Sequence, residues 1–227
     1  MSQLSDFTAS YRKIEGLALA SEAHFEQKMV SNRQFAEQLS WQTLSVNQAT
    51  FRYGAENADD YTFHIGPVDA TFQRGEVVFL TGGNGSGKST FGKLLVGLYQ
   101  LDTGTIALDE QVVTESISLE DYQQLYSTIF SDFHLFEHVL NDTGELAQDN
   151  VIAGHLKALE LDHRVTSTDG KLSSVSMSQG QKKRLAMLMS YIEDTPICLY
   201  DEWAADQDPR FREIFYTEII PALKRRE

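Results

Sequence analysis

Cysteine is almost missing: Cys198 is the only one in 227 residues. No disulfide can form within the chain, and a single thiol suits a reducing compartment. Cys198 lies inside an apolar strand and reads as an inert buried thiol. Positive charge is also scarce, with 19 Lys and Arg against 33 Asp and Glu, a formal net charge of −14. A general nucleic-acid binder needs a basic footprint to displace counterions from phosphate, so nucleic acid is not expected as a partner. Nor does an acidic chain feel a pull toward anionic lipid. No run of about 18 apolar residues is present, so nothing is expected to cross a bilayer. No basic start followed by an apolar run marks a signal peptide. A link to a membrane therefore has to come through a partner or through further sequence. Internal repeats and low-complexity tracts are lacking too. What remains is an ordinary globular composition, 41% hydrophobic and 23% charged, long enough for one domain with a real core and a smaller lobe.

Residues 1–40 read as helical, because Tyr11, Ile14, Leu17, Ala18, Phe25 and Met29 recur at helical intervals among polar residues. From Leu44 the texture turns to strand, in LSVNQATFRY and, after a polar loop, TFHIGPV. Arg74-Gly75 makes a turn into EVVFLT, a short apolar run of the kind a buried parallel strand carries. A helix FGKLLVGLY follows a glycine-rich loop, and a hairpin is expected around Asp109-Glu110. Residues 119–165 read as mostly helical, with polar breaks. SSVSMSQG opens a helix QKKRLAMLMSYI, Pro196 leads into a strand ICLY, and a last helix is broken near Pro221. The whole reads as α/β.

Two motifs carry chemistry. The stretch Gly82, Gly83, Asn84, Gly85, Ser86, Gly87, Lys88, Ser89, Thr90 contains G-x-x-x-x-G-K-S between an expected strand and an expected helix, the context this motif requires. Its glycines turn successive N–H groups inward as an anion cradle, and the helix adds its positive end. Lys88 is placed to reach the β- and γ-phosphates of ATP, and the Ser89 hydroxyl to hold Mg²⁺. The second motif is ICLY followed by Asp201 and Glu202. A carboxylate at the C-terminal end of a parallel strand sits at the sheet's ligand edge. Asp201 is expected to orient Mg²⁺ through its water shell, and Glu202 to polarise the attacking water as general base. Each motif alone has a bland reading, a glycine turn or a common strand end. Together they point to a nucleotide-hydrolysing site.

With both placed, SMSQGQKKR identifies a family. It resembles the ABC signature LSGGQ, with Met177, Ser178, Gln179, Gly180 and Gln181 at its five positions. Ser178 precedes Asp201 by 23 residues, room for one helix between signature and acidic strand. VVFLTGGNGSGKST, YSTIFSDFHLF, SQGQKKRLAML and DEWAADQDPRFREIFY look like the cyclic-peptide and siderophore exporter group of ABC transporters. The resemblance implies a P-loop NTPase (RecA-like) core with an antiparallel β subdomain and a helical subdomain at about 119–178. Residues 1–40 resemble the end of a transmembrane domain, and 41–227 an incomplete nucleotide-binding domain. It further implies an ATPase that couples export to ATP at the cytoplasmic face of the inner membrane. Its partners would be a transmembrane domain and a second nucleotide-binding domain, closed head to tail.

In such a dimer Ser178, Gln179, Gly180 and Gln181 would face the partner's ATP, a hydroxyl and backbone N–H at a helix start aimed at an anion. Ser178 is equally a helix cap. Tyr53 matches the aromatic that stacks on adenine, with Phe51 the rival and core packing the plain alternative. Asp206 and Asp208 match the loop lining the dimer seam, or form a solvated acidic turn. Where the family has a metal-contacting glutamine this chain has Ser131, with Asp132 beside it. Both are candidate oxygen donors to Mg²⁺. His134 and His138 lie close by, without a Cys or third His to complete a ligand set. The family's strand ending in a γ-phosphate histidine is not matched by any of the six histidines. That strand would lie between the phosphate-loop strand and the ICLY strand, so both are expected to show unpaired edges. A non-catalytic cassette remnant and a soluble, non-transport ABC ATPase are the alternatives. The last would bring coiled-coil insertions, tandem cassettes or basic patches, which the sequence lacks.

Overall fold

The computed structural model describes residues 40–53 and 63–225. The expected N-terminal helix and the 54–62 loop lie outside the described residues. Two sheets organise what is described. The first is antiparallel: β1 (Thr43–Arg52) lies between β2 (His64–Gln73) and β3 (Thr103–Leu108), and a short β4 (Gln111–Val112) adds to β3. The hairpin expected at Asp109-Glu110 joins β3 to β4, with Asp109 at φ 52°. Alternation on β1 sends Leu44 and Val46 inward, where each is 2% exposed and faces Leu108 or Ile106 on β3.

The second sheet is parallel, pairing β5 (Tyr126–Ile129) with β8 (Ile197–Tyr200) in register from Tyr126↔Ile197 to Ile129↔Tyr200. ICLY is thus the expected strand. α1 (Lys88–Leu95) follows the glycine loop. Its Gly92 lies so close to β8 that a Cβ there would meet the Leu199 side chain at 3.4 Å. The main core gathers α3 (Asp149–Ala158) and α4 (Gln179–Glu193) with the chain after β8. Ile152, Leu185, Met187 and Leu188 are fully buried there beside Trp203 and Phe211. Each such side chain contributes about 1.5–3 kcal/mol by leaving water. Between α3 and α4 runs a small hairpin of β6 (Ser167–Thr168) and β7 (Lys171–Leu172).

Three expectations need correction. Residues 119–165 are not mostly helical: helix occupies α2 (Leu119–Gln123) and α3, and β5 stands between them. Tyr126–Ile129 is a strand because it finds β8, a pairing that no local period announces. Cys198 is exposed, since alternation along β8 sets it on a face that nothing covers among the described residues. EVVFLT, finally, is not a buried strand. Val77–Thr81 joins no ladder among the described residues, and Val78, Phe79 and Leu80 are 49%, 62% and 54% exposed. A strand exists only through its neighbours, and this segment has none beside it. The last helix breaks as expected, but gently. α5 (Pro209–Ile214) passes through a π turn at Phe215–Ile219 into α6 (Ile220–Lys224), which carries Pro221 in its first turn.

Candidate nucleotide site

The loop before α1 owes its shape to two glycines at positive φ, Gly85 at 74° and Gly87 at 94°. At Gly87 a side chain is also barred by space, because a Cβ would lie 2.9 Å from both Ile65 and Phe63. The loop is thereby seated on the start of β2. Lys88 folds back over it, its Nζ donating to the carbonyls of Gly82 and Gly83 at 3.0 Å each. Ser89 and Thr90 stand in the first turn of α1, at its positive end.

α1 rests on the C-terminal ends of the parallel strands. Gly92 meets Leu199, and Lys93 pairs with Asp132 at 3.4 Å while lying over the Phe130 ring. Ser131 and Asp132 are the exposed residues just past β5. Asp201 is the first past β8, held by its N–H on the Ile129 carbonyl at 2.8 Å. Hence α1, Ser131–Asp132 and Asp201–Glu202 meet at one sheet edge. Asp201 Oδ2 is buried there without a hydrogen-bond partner among the described residues. A carboxylate oxygen so placed is costly until a cation or its water approaches. The donor set of Ser89 hydroxyl and Asp201 carboxylate therefore fits Mg²⁺. Glu202 turns the chain sharply at φ 49°, ψ 31° and leaves its side chain exposed.

Tyr53 is 45% exposed in an aromatic cluster, its hydroxyl donating to Tyr99 at 3.0 Å. That bond raises the Tyr53 hydroxyl above its ordinary pKa. Phe51 differs: its face is already stacked on Tyr99, with centroids 5.2 Å apart. Of the two rings, Tyr53 is the one with a face to offer.

The signature residues lie elsewhere. Ser178 caps α4, accepting the Gln181 N–H at 3.4 Å while the Gln181 side chain accepts the Ser178 N–H at 3.3 Å. Gly180 is pressed against the 3₁₀ turn Trp203–Asp206, where a Cβ would stand 2.5 Å from the Asp206 carbonyl. Its own carbonyl accepts Gln207 Nε2 at 3.0 Å. Ser178, Gly180 and Gln181 line an open hollow of about 400 Å³ with Glu160, His163 and Arg184, and no phosphate-loop residue reaches it. Arg184 fastens this wall. Its guanidinium lies 3.5 Å above the Phe211 ring, donates to Gln207 Oε1 at 2.9 Å and pairs with Asp208 at 2.6 Å. Asp208 also caps α5 through the Phe211 N–H, the main cause of its lowered pKa. Asp206 pairs with Lys183 at 2.7 Å, so Asp206 and Asp208 both hold ion pairs while half exposed. His134 packs edge-on against Phe136, and no cluster of three potential metal ligands occurs among the described residues.

Sequence reading passed over Lys183, Arg184, Tyr99 and Trp203. The first two stand in the quoted signature phrase and were open to notice. Their burial was not, because it depends on the chain after β8 folding back on α4.

Comparison with known proteins agrees with this geometry. The sequence profile of the ABC transporter family matches residues 65–205, more than half of the chain. The chain is 41% identical over 189 residues to the ATP-binding protein SyrD of Pseudomonas syringae pv. syringae, covering 82% of this chain and 33% of SyrD. It is 30% identical over 190 residues to the nisin transport ATP-binding protein NisT of Lactococcus lactis subsp. lactis, covering 76% of this chain and 31% of NisT. Among solved structures, a bacterial Atm1-family ABC exporter with ATP bound matches with a TM-score of 0.66 over 82% of this chain and 33% of that one, at 19% identity. That likeness shows the fold, a P-loop NTPase domain. The chain spans about a third of the length of these relatives.

Proposed function

Because the chain belongs to the ABC transporter family and carries the family's ATPase domain, we propose that it binds and hydrolyses ATP to drive export of a small peptide, of the cyclic-peptide or siderophore class. The observation that carries the ATPase reading is the buried, unpartnered Asp201 Oδ2 at the sheet edge on which the phosphate-loop helix rests. Lys88 and the loop N–H groups hold the triphosphate, and Tyr53 stacks on adenine. Ser89 and Asp201, with Ser131 or Asp132 as further oxygen donors, hold Mg²⁺, which neutralises phosphate charge when bound. Glu202 orients the attacking water and accepts its proton. The Ser178–Gln181 hollow, lacking phosphate-loop residues, supports a head-to-tail dimer in which it faces the partner's nucleotide. A transmembrane domain at the cytoplasmic face of the inner membrane would receive the motion. The cargo class rests on the sequence phrases shared with that exporter group, and it agrees with the relative named for nisin transport.

One observation favours a second reading, nucleotide binding without turnover by this stretch of chain. The Val78–Leu80 row is exposed and, among the described residues, β8 pairs with β5 alone, so each could take a further strand. The incomplete cassette is then finished by additional sequence or by another chain. Calorimetry and phosphate release decide between the readings. Wild type is expected to bind MgATP, and both Lys88→Ala and Asp201→Asn to bind it at least about tenfold more weakly. Turnover that appears only when downstream coding sequence is added supports the second reading. Absence of nucleotide binding in the extended chain would refute both.

A further inference from the structure

Lys183 is a buried lysine that the proposed mechanism does not use. Its side chain is only 5% exposed, on the second turn of α4. Lysines are almost never so buried unless paired, and this one is paired in a telling place. Its Nζ donates to the Glu202 carbonyl at 2.7 Å and sits 2.7 Å from Asp206 Oδ2. One residue therefore grips both ends of the Glu202–Asp206 turn. Its backbone carbonyl accepts Trp203 Nε1 at 2.8 Å, and the Trp203 ring stacks on Phe215 with centroids 4.3 Å apart.

The gripped residue is strained. Glu202 takes a left-handed backbone, φ 49° and ψ 31°, which a non-glycine residue adopts only when its surroundings impose it. The direction of the Glu202 side chain follows from that backbone. Stability alone is a poor account of the lysine, because an apolar residue of similar volume often serves a buried site as well as an ion pair. What an ammonium adds is direction: it fixes a carbonyl and a carboxylate in space together. It does so from α4, which Ser178 caps and whose first turn carries Gly180.

We propose that Lys183 is a positioning residue for Glu202, clamping the left-handed turn so that the carboxylate is correctly aimed, and tying that aim to the signature end of α4. The inference rests on Glu202 acting as general base. A misplacement of about 1 Å in a catalytic group can cost about 100-fold in rate. Lys183→Met should therefore lower kcat about 10- to 100-fold, leave KM and the Kd for MgATP unchanged, and be largely rescued in Lys183→Arg. In a Glu202→Gln background the same change should have no further effect on residual turnover, since the group it aims is gone. Additive losses in the double variant, or kcat falling only in step with Tm, would overturn the proposal. The chain is also labelled with 5-fluorotryptophan in a Trp41→Phe background, leaving Trp203 as sole reporter. Its ¹⁹F resonance should shift or split in Lys183→Met and return in Lys183→Arg. If the chain alone shows no turnover, as the second reading expects, the ¹⁹F signal alone decides the clamp. A resonance unmoved by Lys183→Met would end it.

Discussion

Replacing Gly180 by alanine sets two effects of known sign against each other. Gly180 is the second residue of α4, and its φ is not in the left-handed region. Helix propensity alone says that alanine stabilises, by up to about 1 kcal/mol. The packing says the reverse. The new Cβ would lie 2.5 Å from the Asp206 carbonyl oxygen, and that turn cannot easily retreat. Lys183 holds it through Glu202 and Asp206, and Trp203 is wedged beneath it. Overpacking of this kind costs about 1–3 kcal/mol. Prising the surfaces apart also breaks the bond from Gln207 Nε2 to the Gly180 carbonyl, about 1 kcal/mol more. Set against the propensity gain, the net loss is about 1–3 kcal/mol. For a chain of this size that lowers Tm by about 2–12 °C. Calorimetric melting with urea titration measures it. MgATP binding at the chain's own phosphate loop, which does not touch Gly180, should be unaltered. A Tm that stays level or rises would show that the close approach is not what requires glycine there, and the reasoning would fail.

Tyr53→Ala should weaken ATP binding by about 1–3 kcal/mol, the usual worth of an aromatic stacked on a base. Inorganic triphosphate, having no base, should bind as before, and competition titration separates the two. Acid sensitivity has identifiable sources. Asp149 lies below its ordinary pKa of 3.8 through the Ser167 side chain and then the Gly170 and Asp169 N–H groups, and Asp208 through the Phe211 N–H. Carboxyls lowered by folding add stability above the unfolded value, and that stability is lost as pH falls through the lower, folded value. Asp149→Asn should therefore be less stable than wild type near neutrality, with the gap narrowing below pH 3.8 in acid titrations followed by circular dichroism.

What the sequence disclosed was what short stretches determine. The glycine loop, the strand Ile197–Tyr200 and the capped start of α4 each declare themselves within about ten residues, through backbone freedom, a compact apolar run and a serine cap. Pairing is not local, and there the reading failed. Tyr126–Ile129 is a strand because a segment some seventy residues later lies beside it. Val77–Thr81 has strand composition but no such neighbour. Lys183 looks like one of three cations on a helix until the turn after β8 closes over it. Cys198 reads as interior from the apolar run around it, and its exposure depends on what packs over β8, which no short stretch of sequence declares.

The bare row from Val77 to Leu80 also bears on how copies of this polypeptide meet one another. An exposed apolar stretch that joins no ladder among the described residues is a place where a similar stretch can associate. The chain's strong negative charge opposes this by mutual repulsion. Colloidal behaviour is thus a balance between a sticky seam and a like-charged coat. At about 1 M salt the screening length shrinks to about 3 Å, and the seam gains the advantage.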